Sequence, residues 1–368
     1  MGYIPKALHK VLVVSNYNDY HSVRPEGEIF ISLAALGHSI TVMTYADSAY
    51  AQRLASNGVR VIDHHPRKKY DRKSIRTIRR ELMEGAYEFM HLYNNKSLSN
   101  GLLAARGLPV KVIGYRGSTL NFGWYTVENY LKHLSPRLDA VICNSIGVAD
   151  LYRKHPFFDS AKAVVINKGH DIEWYADVNP YDIRAALDLD EQTVICTMVA
   201  TDRSMKGVKY LCRSLKYIPS DLDFRLLLIG KGMDSRKYQQ IIAKSEHAER
   251  VIVQGHNPDA LSWVAGSDVF VLSSIAGESI TKAVLEAMSL GICPVITDIP
   301  GNIELVEHEV SGLVMKAGNP QHMASMIEQI VADRGARRRY GAAARERIQT
   351  RLSHASTVTA YEQLYSRL

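Results

Sequence analysis

The sequence predicts an α/β protein of two domains, each built on a doubly wound parallel sheet. Three observations lead to this fold class. The 368 residues exceed the ~100–200 residues of a typical single domain. Short apolar runs alternate with stretches of helical pattern, as in parallel sheets covered by helices. This alternation stops between Lys168 and Asp190, where Gly169, Pro180 and several acids stand, and then starts again.

Thirteen short apolar runs are the predicted strands. In the N-terminal half they are Lys10–Ser15, Ile40–Thr44, Val59–Asp63, Glu88–Tyr93, Val110–Tyr115, Ala140–Asn144 and Ala163–Asn167. In the C-terminal half they are Thr193–Ala200, Phe224–Ile229, Val251–Gln254, Asp268–Ser273, Pro294–Thr297 and Gly312–Met315. The first helix is predicted over Gly27–Leu36, because its apolar residues share one face and Gly37 suits the helix end.

The domain boundaries follow from this pattern. We expect an N-terminal Rossmann-like domain over residues 1–170 and a C-terminal Rossmann-like domain over residues 171–345. Residues 346–368 are expected to form a helix that packs back toward the N-terminal domain. Two such domains would face each other across a cleft. Because ligands of open α/β sheets bind beyond the carboxyl ends of the strands, the cleft is the expected site.

The cysteines and the length of the apolar segments indicate the cellular compartment of the protein. The four cysteines, Cys143, Cys196, Cys212 and Cys293, form no CxxC pair, which favours reduced thiols over a disulfide scaffold or a zinc site. No segment has the ~18 consecutive apolar residues that a membrane span needs. The first apolar run, Val11–Val14, is too short for a signal peptide. We therefore expect a cytoplasmic protein.

The net charge of +7 is concentrated in one segment of the N-terminal half, Arg67–Arg80, which has eight basic residues and one acid. Two interpretations remain open, a solvated helix face and a surface for anionic lipid, to which each basic residue contributes ~1 kcal/mol. Nucleic acid is disfavoured, since neither a binding module nor interleaved aromatic residues are present. The lipid interpretation would make the protein peripheral on an anionic membrane surface.

Two glutamates eight residues apart mark the most informative stretch, Gly277–Ala287. Glu278 follows a predicted strand, and Glu286 lies within the helix predicted after it. Eight helical residues advance ~12 Å, about the distance from the sugar to the ribose of a nucleotide sugar. The backbone N–H groups of Ser279, Ile280 and Thr281 would then hold the phosphates at the helix N-terminus. The alternative is a capping acid followed by a surface acid on an amphipathic helix.

The surrounding residues resemble a known family. The strand Val269–Leu272, the two glutamates, GICPVITD (Gly291–Asp298) and GNIELVEHEVSGLV (Gly301–Val314) are similar to the retaining glycosyltransferases of family 4, also called glycosyl transferases group 1. The match runs for about forty residues without a gap and is specific. The resemblance implies the GT-B fold, with the donor nucleotide sugar bound by the C-terminal domain.

A second element, VATDRSMKG (Val199–Gly207), agrees with this resemblance. Family members carry an arginine and a Lys-Gly pair here, and the two cations clamp the donor diphosphate. Lys206 and Gly207 match this pattern, whereas the usual arginine position is Thr201. Arg203 lies two residues later and would reach the same phosphates. The resemblance thus implies catalytic roles for Arg203, Lys206 and Glu278, with Glu286 on the ribose.

The N-terminal half carries a weaker set of matching residues. Arg24 and Gly27 stand at the start of the predicted first helix, where family members often have two loop glycines, and the Gly27 backbone would approach the donor phosphates or the acceptor. Asn94 and Asn95 follow a strand end. Arg116 stands where many members have histidine. Arg24, Asn94, Asn95 and Arg116 are the predicted acceptor or sugar contacts.

The implied reaction is transfer of a sugar, of the hexosyltransferase type, from a nucleotide-diphosphate sugar to a glycan or lipid-linked acceptor. The resemblance implies retention at the anomeric carbon and synthesis of lipopolysaccharide or surface polysaccharide. We expect no metal and no cofactor, because cationic side chains and a helix N-terminus can neutralise the diphosphate. Two alternatives stay open: a sugar-nucleotide epimerase of the same architecture, and a non-catalytic nucleotide-sugar-binding protein.

Overall fold

The computed structural model describes residues 7–18, 20–123 and 126–368, apart from the side chain of His21. The chain divides into two compact units. Unit 1 comprises Met1–Gly169 together with His354–Leu368, and unit 2 comprises His170–Ser353. Each unit contains one parallel sheet covered by helices, so the predicted fold class is confirmed.

Unit 1 is built on a seven-stranded sheet in the order β3-β2-β1-β4-β5-β6-β7, in which every pairing is parallel. Its strands are β1 Lys10–Val14, β2 Ser39–Thr44, β3 Arg60–Asp63, β4 Phe89–Leu92, β5 Lys111–Arg116, β6 Ala140–Cys143 and β7 Ala163–Val165. Its helices are α1 Tyr20–Ala35, α2 Ala49–Ser56, α3 Arg72–Gly85, α4 Asn95–Ala104, α5 Val127–Tyr130, α6 Ile146–Arg153 and, at the C-terminus of the chain, α14 His354–Arg367.

The central strand β1 shows why the apolar runs predicted strands correctly. Val11 and Val13 pack into one hydrophobic core with residues of α1 and α14, and Leu12 and Val14 pack into another core with residues of α3 and α4. A strand covered on both faces buries every side chain, so it reads as a continuous apolar run.

Unit 2 is built on a six-stranded parallel sheet in the order β10-β9-β8-β11-β12-β13. Its strands are β8 Val194–Val199, β9 Phe224–Ile229, β10 Val251–Gly255, β11 Val269–Leu272, β12 Cys293–Thr297 and β13 Leu313–Met315. Its helices are α7 Ile183–Ala186, α8 Val208–Ser214, α9 Arg236–Ala243, α10 Ala260–Ala265, α11 Lys282–Ser289, α12 Pro320–Ala332 and α13 Arg334–Thr350.

The strand orders fix where each unit can bind a ligand. Order reverses between β1 and β4 in unit 1 and between β8 and β11 in unit 2. Connections leave in opposite directions at such a switch point, which opens a crevice beyond the carboxyl ends of the two strands. In unit 2 the segments at this crevice are those that follow Val199 and Leu272, and they contain the predicted donor-site residues.

Helix α1 departs from the prediction. It begins at Tyr20, seven residues before the predicted start, and contains Pro25. Gly27 therefore lies within a helix, and the prediction of a loop glycine is wrong. The reason is packing between helices, because a Cβ on Gly27 would lie 2.0 Å from the Tyr50 ring of α2. Pro25 and Gly27 indicated a helix boundary, but both lie inside the helix, where the contact with Tyr50 requires a glycine at position 27.

The C-terminal segment also differs in detail from the predicted single helix over 346–368. Residues 346–350 are the end of α13, and α14 begins at His354. In α14, the Tyr361 hydroxyl lies 2.5 Å from that of Tyr93, and the Tyr365 hydroxyl lies 2.9 Å from Nε2 of His91. These hydrogen bonds join α14 to β4 and to the residue that follows it.

Candidate functional site

Two loops at the switch point of unit 2 are bound to each other. The first follows β8 and ends at Gly207, and the second follows β11 and ends at Thr281. The Ser273 hydroxyl donates to the Lys206 carbonyl at 2.9 Å, and the Ile275 amide donates to the Met205 carbonyl at 2.7 Å. The loops therefore hold one another in place, and each positions the side chains of the other.

Gly207 is the residue that permits this close approach. It has φ of +70°, and a Cβ there would lie 1.9 Å from the Ser273 carbonyl oxygen. Only glycine meets both conditions without strain. The Lys-Gly pair noted in the sequence thus has a structural reason for its second member.

Lys206 and Glu278 are brought together by the two loops. Lys206 Nζ lies 2.5 Å from Oε1 of Glu278, and the Ser274 hydroxyl donates to the same oxygen at 2.8 Å. The two charged side chains are 14% and 12% exposed, which limits screening by water. The predicted proximity of a cation and an acid at this edge is correct. Arg203 is exposed in the same loop, three residues before Lys206.

Helix α11 begins later than predicted. Its first residue is Lys282 and its N-cap is Thr281, so Ser279, Ile280 and Thr281 lie in the turn before the helix. Their amides are therefore not those of the first helical turn, and that part of the prediction is wrong. The N-terminal amides that a helix leaves without intrahelical partners begin here with Lys282 and Ala283.

A buried hydrogen-bond network explains the late start of α11. The Thr281 hydroxyl does not cap the helix and instead donates to Oδ1 of Asn302 at 3.0 Å. The Asn302 amide donates to Thr297 Oγ1 at 3.4 Å, and the Thr297 hydroxyl donates to the Ser274 carbonyl at 2.5 Å. Asn302 is fully buried. The network fixes the turn against β12, and the sequence offered no local signal for it.

Glu286 lies in the second turn of α11, 13% exposed, and forms an ion pair with Lys282. Sequence reasoning missed Lys282, although a spacing of four residues places both side chains on one helix face. A lysine in the first turn opposes the helix dipole, and Glu286 offsets that cost. The first turn of α11 therefore combines amide donors with a cation, which together suit a phosphate group.

The predicted residues of unit 1 gather at the carboxyl ends of β4 and β5. Asn94 caps α4, with Oδ1 accepting from the amides of Lys96 and Ser97 at 3.0 and 2.9 Å. Asn95, the first residue of α4, is exposed. Arg116 ends β5 and is buried. Its guanidinium group donates to the carbonyls of Ser118 and Leu120 at 3.0 and 2.5 Å and lies over the Phe122 ring.

Arg24 and Gly27 lie on α1. The Arg24 carbonyl accepts from the Tyr50 hydroxyl at 3.1 Å, and the Arg24 side chain is half-buried. Gly27 is buried against the same tyrosine. The structure therefore gives both residues a packing role, and contacts to donor or acceptor remain predictions.

Burial dominates the titration of the histidines near the strand ends. It lowers the pKa of His133 to about 3, with help from the charges of Arg116 and Lys132. It lowers the pKa of His65 to about 4, and Lys96 acts in the same direction. Burial also lowers the pKa of Lys132 and of Arg116. Both imidazoles are therefore neutral near pH 7.

The basic segment Arg67–Arg80 spans a loop and the first half of α3. Six of its basic side chains are exposed without an ion pair among the described residues: Arg67, Lys68, Arg72, Lys73, Arg76 and Arg80. Arg79 has a structural role, since it donates to the carbonyls of Ala104 and Arg106 at 2.9 and 2.8 Å. None of the helices formed by the described residues has the length and apolar character needed to cross a membrane.

Two family models match the chain. Residues 28–174 match glycosyltransferase family 4, and residues 181–347 match glycosyl transferases group 1. The two matches follow the two structural units and leave few residues uncovered.

Three curated relatives illustrate the sequence similarity. UDP-Gal:alpha-D-GlcNAc-diphosphoundecaprenol alpha-1,3-galactosyltransferase of Escherichia coli is 26% identical over 72% of this chain and 71% of its own. N-acetyl-alpha-D-glucosaminyl L-malate synthase of Bacillus anthracis is 26% identical over 48% and 46%. The lipopolysaccharide core biosynthesis glycosyltransferase LpsE of Rhizobium meliloti is 25% identical over 61% and 64%. The second and third matches span less than two thirds of those relatives' lengths.

Solved structures show the same fold. A glycosyltransferase from Rickettsia africae superposes with a TM-score of 0.81 at 18% identity and covers 98% of both chains. Anabaena HepE in complex with UDP-glucose superposes with a TM-score of 0.79 at 19% identity and covers 98% of this chain and 100% of its own.

Two parallel-sheet units, with paired cations and acids at the switch point of the second, define a GT-B glycosyltransferase. The chain belongs to glycosyltransferase family 4, as the family models and the curated relatives show. Its relatives include enzymes of lipopolysaccharide synthesis.

Proposed function

We propose that this glycosyltransferase transfers a hexose, with retention at the anomeric carbon, from a nucleoside-diphosphate sugar to a glycan or lipid-linked acceptor. The observation that carries the proposal is the set of paired charges in unit 2, where Lys206 pairs with Glu278 in the bound loops and Lys282 pairs with Glu286 on α11. Cations and acids in adjacent segments suit a ligand that carries both a diphosphate and hydroxyl groups.

Each side chain has a defined role in this proposal. Lys206 and Arg203, with the first amides and Lys282 of α11, stabilise the charge that develops on the departing nucleoside diphosphate. Glu278 accepts hydrogen bonds from sugar hydroxyls, and Glu286 accepts them from the ribose. Because the cations and amides already neutralise the leaving group, we propose that no metal cofactor takes part.

No side chain acts as a covalent nucleophile in this mechanism. The acceptor hydroxyl attacks the anomeric carbon from the side of the leaving group, and the bond to the phosphate oxygen breaks. The acceptor proton passes to that phosphate oxygen. The products are the glycosylated acceptor and the nucleoside diphosphate, so atoms and charges balance.

The acceptor class is proposed from the activities of the relatives. The Escherichia coli enzyme acts on a diphosphoundecaprenol-linked sugar, and the Rhizobium meliloti enzyme takes part in lipopolysaccharide core biosynthesis. We propose a role in lipopolysaccharide or surface polysaccharide synthesis, with the enzyme on the inner face of a bacterial cytoplasmic membrane. The exposed basic side chains of Arg67–Arg80 would then contact anionic lipid.

Thermal stabilisation by a panel of nucleotide sugars tests the donor. A ligand at ~100 times its dissociation constant adds ~2.7 kcal/mol to the free energy of unfolding. Glu286→Gln should lose this stabilisation, whereas Lys209→Met, which removes an exposed cation on α8 of the same unit, should keep it. If nucleotide sugars stabilised Glu286→Gln as much as the wild type, the nucleotide would have to bind at a site that does not include Glu286.

Vesicle co-sedimentation tests the membrane contact. The wild type should bind phosphatidylglycerol vesicles more than phosphatidylcholine vesicles, and salt should weaken the binding. Arg72→Gln/Arg76→Gln should reduce it, and the matched change on α13, Arg338→Gln/Arg339→Gln, should not. Equal binding by the two double variants would remove the membrane role of α3.

A further inference from the structure

A pocket of about 920 Å³ in unit 1 lies beside the carboxyl ends of β4 and β5. We call it the α5 pocket, because residues of helix α5 and described residues on either side of it supply much of its wall. The residues that give it its chemical character are Lys69, Asn95, Arg116, Glu128, Lys132 and His133. Asn95 and Arg116 are two of the acceptor contacts predicted from the sequence, and the other four residues were not predicted.

The cations of the α5 pocket outnumber its acids. Lys69 and Lys132 both form ion pairs with the same carboxylate, that of Glu128, at 3.0 Å for Lys132. No carboxylate of residues 7–18, 20–123 and 126–368 lies within ion-pair distance of Arg116. The lining that the structure describes thus carries three positive charges and one negative charge.

Burial of Lys132 increases the free-energy cost of the excess positive charge. The Lys132 side chain is only 5% exposed, and desolvation is the main cause of its lowered pKa. The partner carboxylate of Glu128 is 42% exposed, so it offsets the buried charge incompletely. A buried cation with a weak partner gains more from an incoming anion than a solvated one does.

Neutral donors complete the lining. Oδ1 of Asn95 lies 3.3 Å from Lys132 Nζ and 3.2 Å from Nε2 of His133. Because Oδ1 already accepts from the lysine and faces the imidazole, the amide N–H2 of Asn95 is the group available to a ligand. Lysine, arginine and amide donors around one pocket are the typical recognition set for a phosphate group.

We propose that the α5 pocket binds the phosphate group of a phosphate-bearing acceptor. The inference rests on the proposed function, because it names the chemical class of the acceptor. Arg116 adds a permanent positive charge to the pocket. The phosphate would share Lys132 and Lys69 with Glu128 and accept hydrogen bonds from the Asn95 amide.

Calorimetry with inorganic pyrophosphate tests the pocket on the full chain at about 50 mM salt, where charge interactions are weakly screened. The Lys206→Met background removes one cation of the unit 2 site and weakens pyrophosphate binding there, so the effect of a second substitution in unit 1 is easier to resolve. In that background, Lys132→Met and Asn95→Asp should each weaken binding by about tenfold or more. Lys154→Met, which removes an exposed cation of the same unit, should leave it within about twofold.

Glu128→Gln should change the affinity for pyrophosphate in the opposite direction. It removes the carboxylate that competes for both lysines, so pyrophosphate should bind several-fold more tightly, as expected when a competing charge is deleted. Asn95→Asp guards against loss of folding, because Asn95 is exposed and an acid suits the first turn of α4. The proposal would be overturned if Lys132→Met, Asn95→Asp and Glu128→Gln all left the affinity for pyrophosphate unchanged. It would also be overturned if the Lys206→Met variant bound no pyrophosphate.

Two further measurements, with malonate and with competing phosphate compounds, identify the class of ligand. Malonate that binds as tightly as pyrophosphate would overturn the assignment to phosphate. Displacement of pyrophosphate by farnesyl diphosphate supports a lipid-linked acceptor, and displacement by glucose 1-phosphate alone supports a sugar phosphate; displacement by neither overturns the proposal. Nucleoside diphosphate binding to the wild type is measured in parallel. Its absence would contradict the proposed donor site, whereas the substitutions at Lys132, Asn95 and Glu128 in the Lys206→Met background report on the α5 pocket.

Discussion

The charged clusters beside the strand ends of the two sheets differ in how they balance charge. In unit 2, Lys206 and Lys282 each have their own carboxylate, Glu278 and Glu286. In unit 1, Lys69 and Lys132 share Glu128. Similar parallel sheets thus present a balanced site in one unit and a cationic site in the other. We infer that the two units hold their phosphate groups with different balances of charge, and the variants below test this.

The largest effect is expected at the balanced site. Lys206→Met should lower kcat/KM for sugar transfer by about 10²–10³, because it removes a charge that stabilises the departing diphosphate. Steady-state kinetics with the donor identified by screening measures this. Lys209→Met, which is exposed on α8, should retain activity. Near-normal transfer by Lys206→Met would show that the paired charges of unit 2 serve the fold alone.

The next effect tests how the loops of unit 2 are held. Gly207→Ala should cost about 2–4 kcal/mol of stability, because its Cβ would overlap the Ser273 carbonyl as well as strain the backbone. Gly318→Ala has nearly the same φ, +69°, but its Cβ would meet nothing closer than 3.9 Å. It should cost about 1 kcal/mol. Urea unfolding compares the two, and equal losses would mean that the loops can separate freely.

A smaller effect concerns the buried imidazole of the α5 pocket. The unfolded chain protonates His133 below about pH 6.5, whereas the pKa of about 3 keeps it neutral in the folded protein. Its stabilising contribution is therefore complete above about pH 6.5 and is lost progressively as the pH falls toward 3. Between about pH 7 and pH 5 the loss is about 2 kcal/mol.

His133→Asn should flatten this part of the pH–stability curve, as measured by urea unfolding at several pH values. Exposed His256→Asn should leave the curve unchanged. An unaltered slope in His133→Asn would show that the imidazole is charged in the folded protein, and the charge balance of the pocket would have to be revised.

The smallest effect is expected from the shared carboxylate. Glu128→Gln should change the free energy of unfolding by less than about 1 kcal/mol, because the Glu128 side chain is 42% exposed and water screens its pairs with both Lys69 and Lys132. Thermal unfolding measures it. A loss of several kcal/mol would mean that the carboxylate holds the loop around α5 together, and that its effect on anion binding is indirect.

The strands could be predicted from the sequence because both faces of each central strand are buried, as β1 shows with Val11 and Leu12 in different cores. The meeting of Lys206 with Glu278 could also be predicted, since both follow strands whose carboxyl ends share one edge. The starts of α1 and α11 could not. They depend on Tyr50 against Gly27 and on Asn302 against Thr281, which are contacts between residues distant in sequence.

The same limit applies to the α5 pocket. Lys69, Glu128 and Lys132 come from separate stretches of the chain, and local patterns carry no signal that they meet. The resemblance to family 4 supplied Arg116 and Asn95 but no reason for the charge around them. Local sequence rules thus located the ends of the strands, and long-range packing determined which side chains meet there.

The ion pair between Lys206 and Glu278 also affects how fast a donor arrives. Opposite charges 2.5 Å apart produce a field that fades within a few ångströms of the protein surface. This pair therefore attracts a nucleotide sugar only weakly over long range, and its share of the association rate should be nearly insensitive to ionic strength. The surplus cations around α5 act over a longer range, so acceptor capture should slow as salt increases.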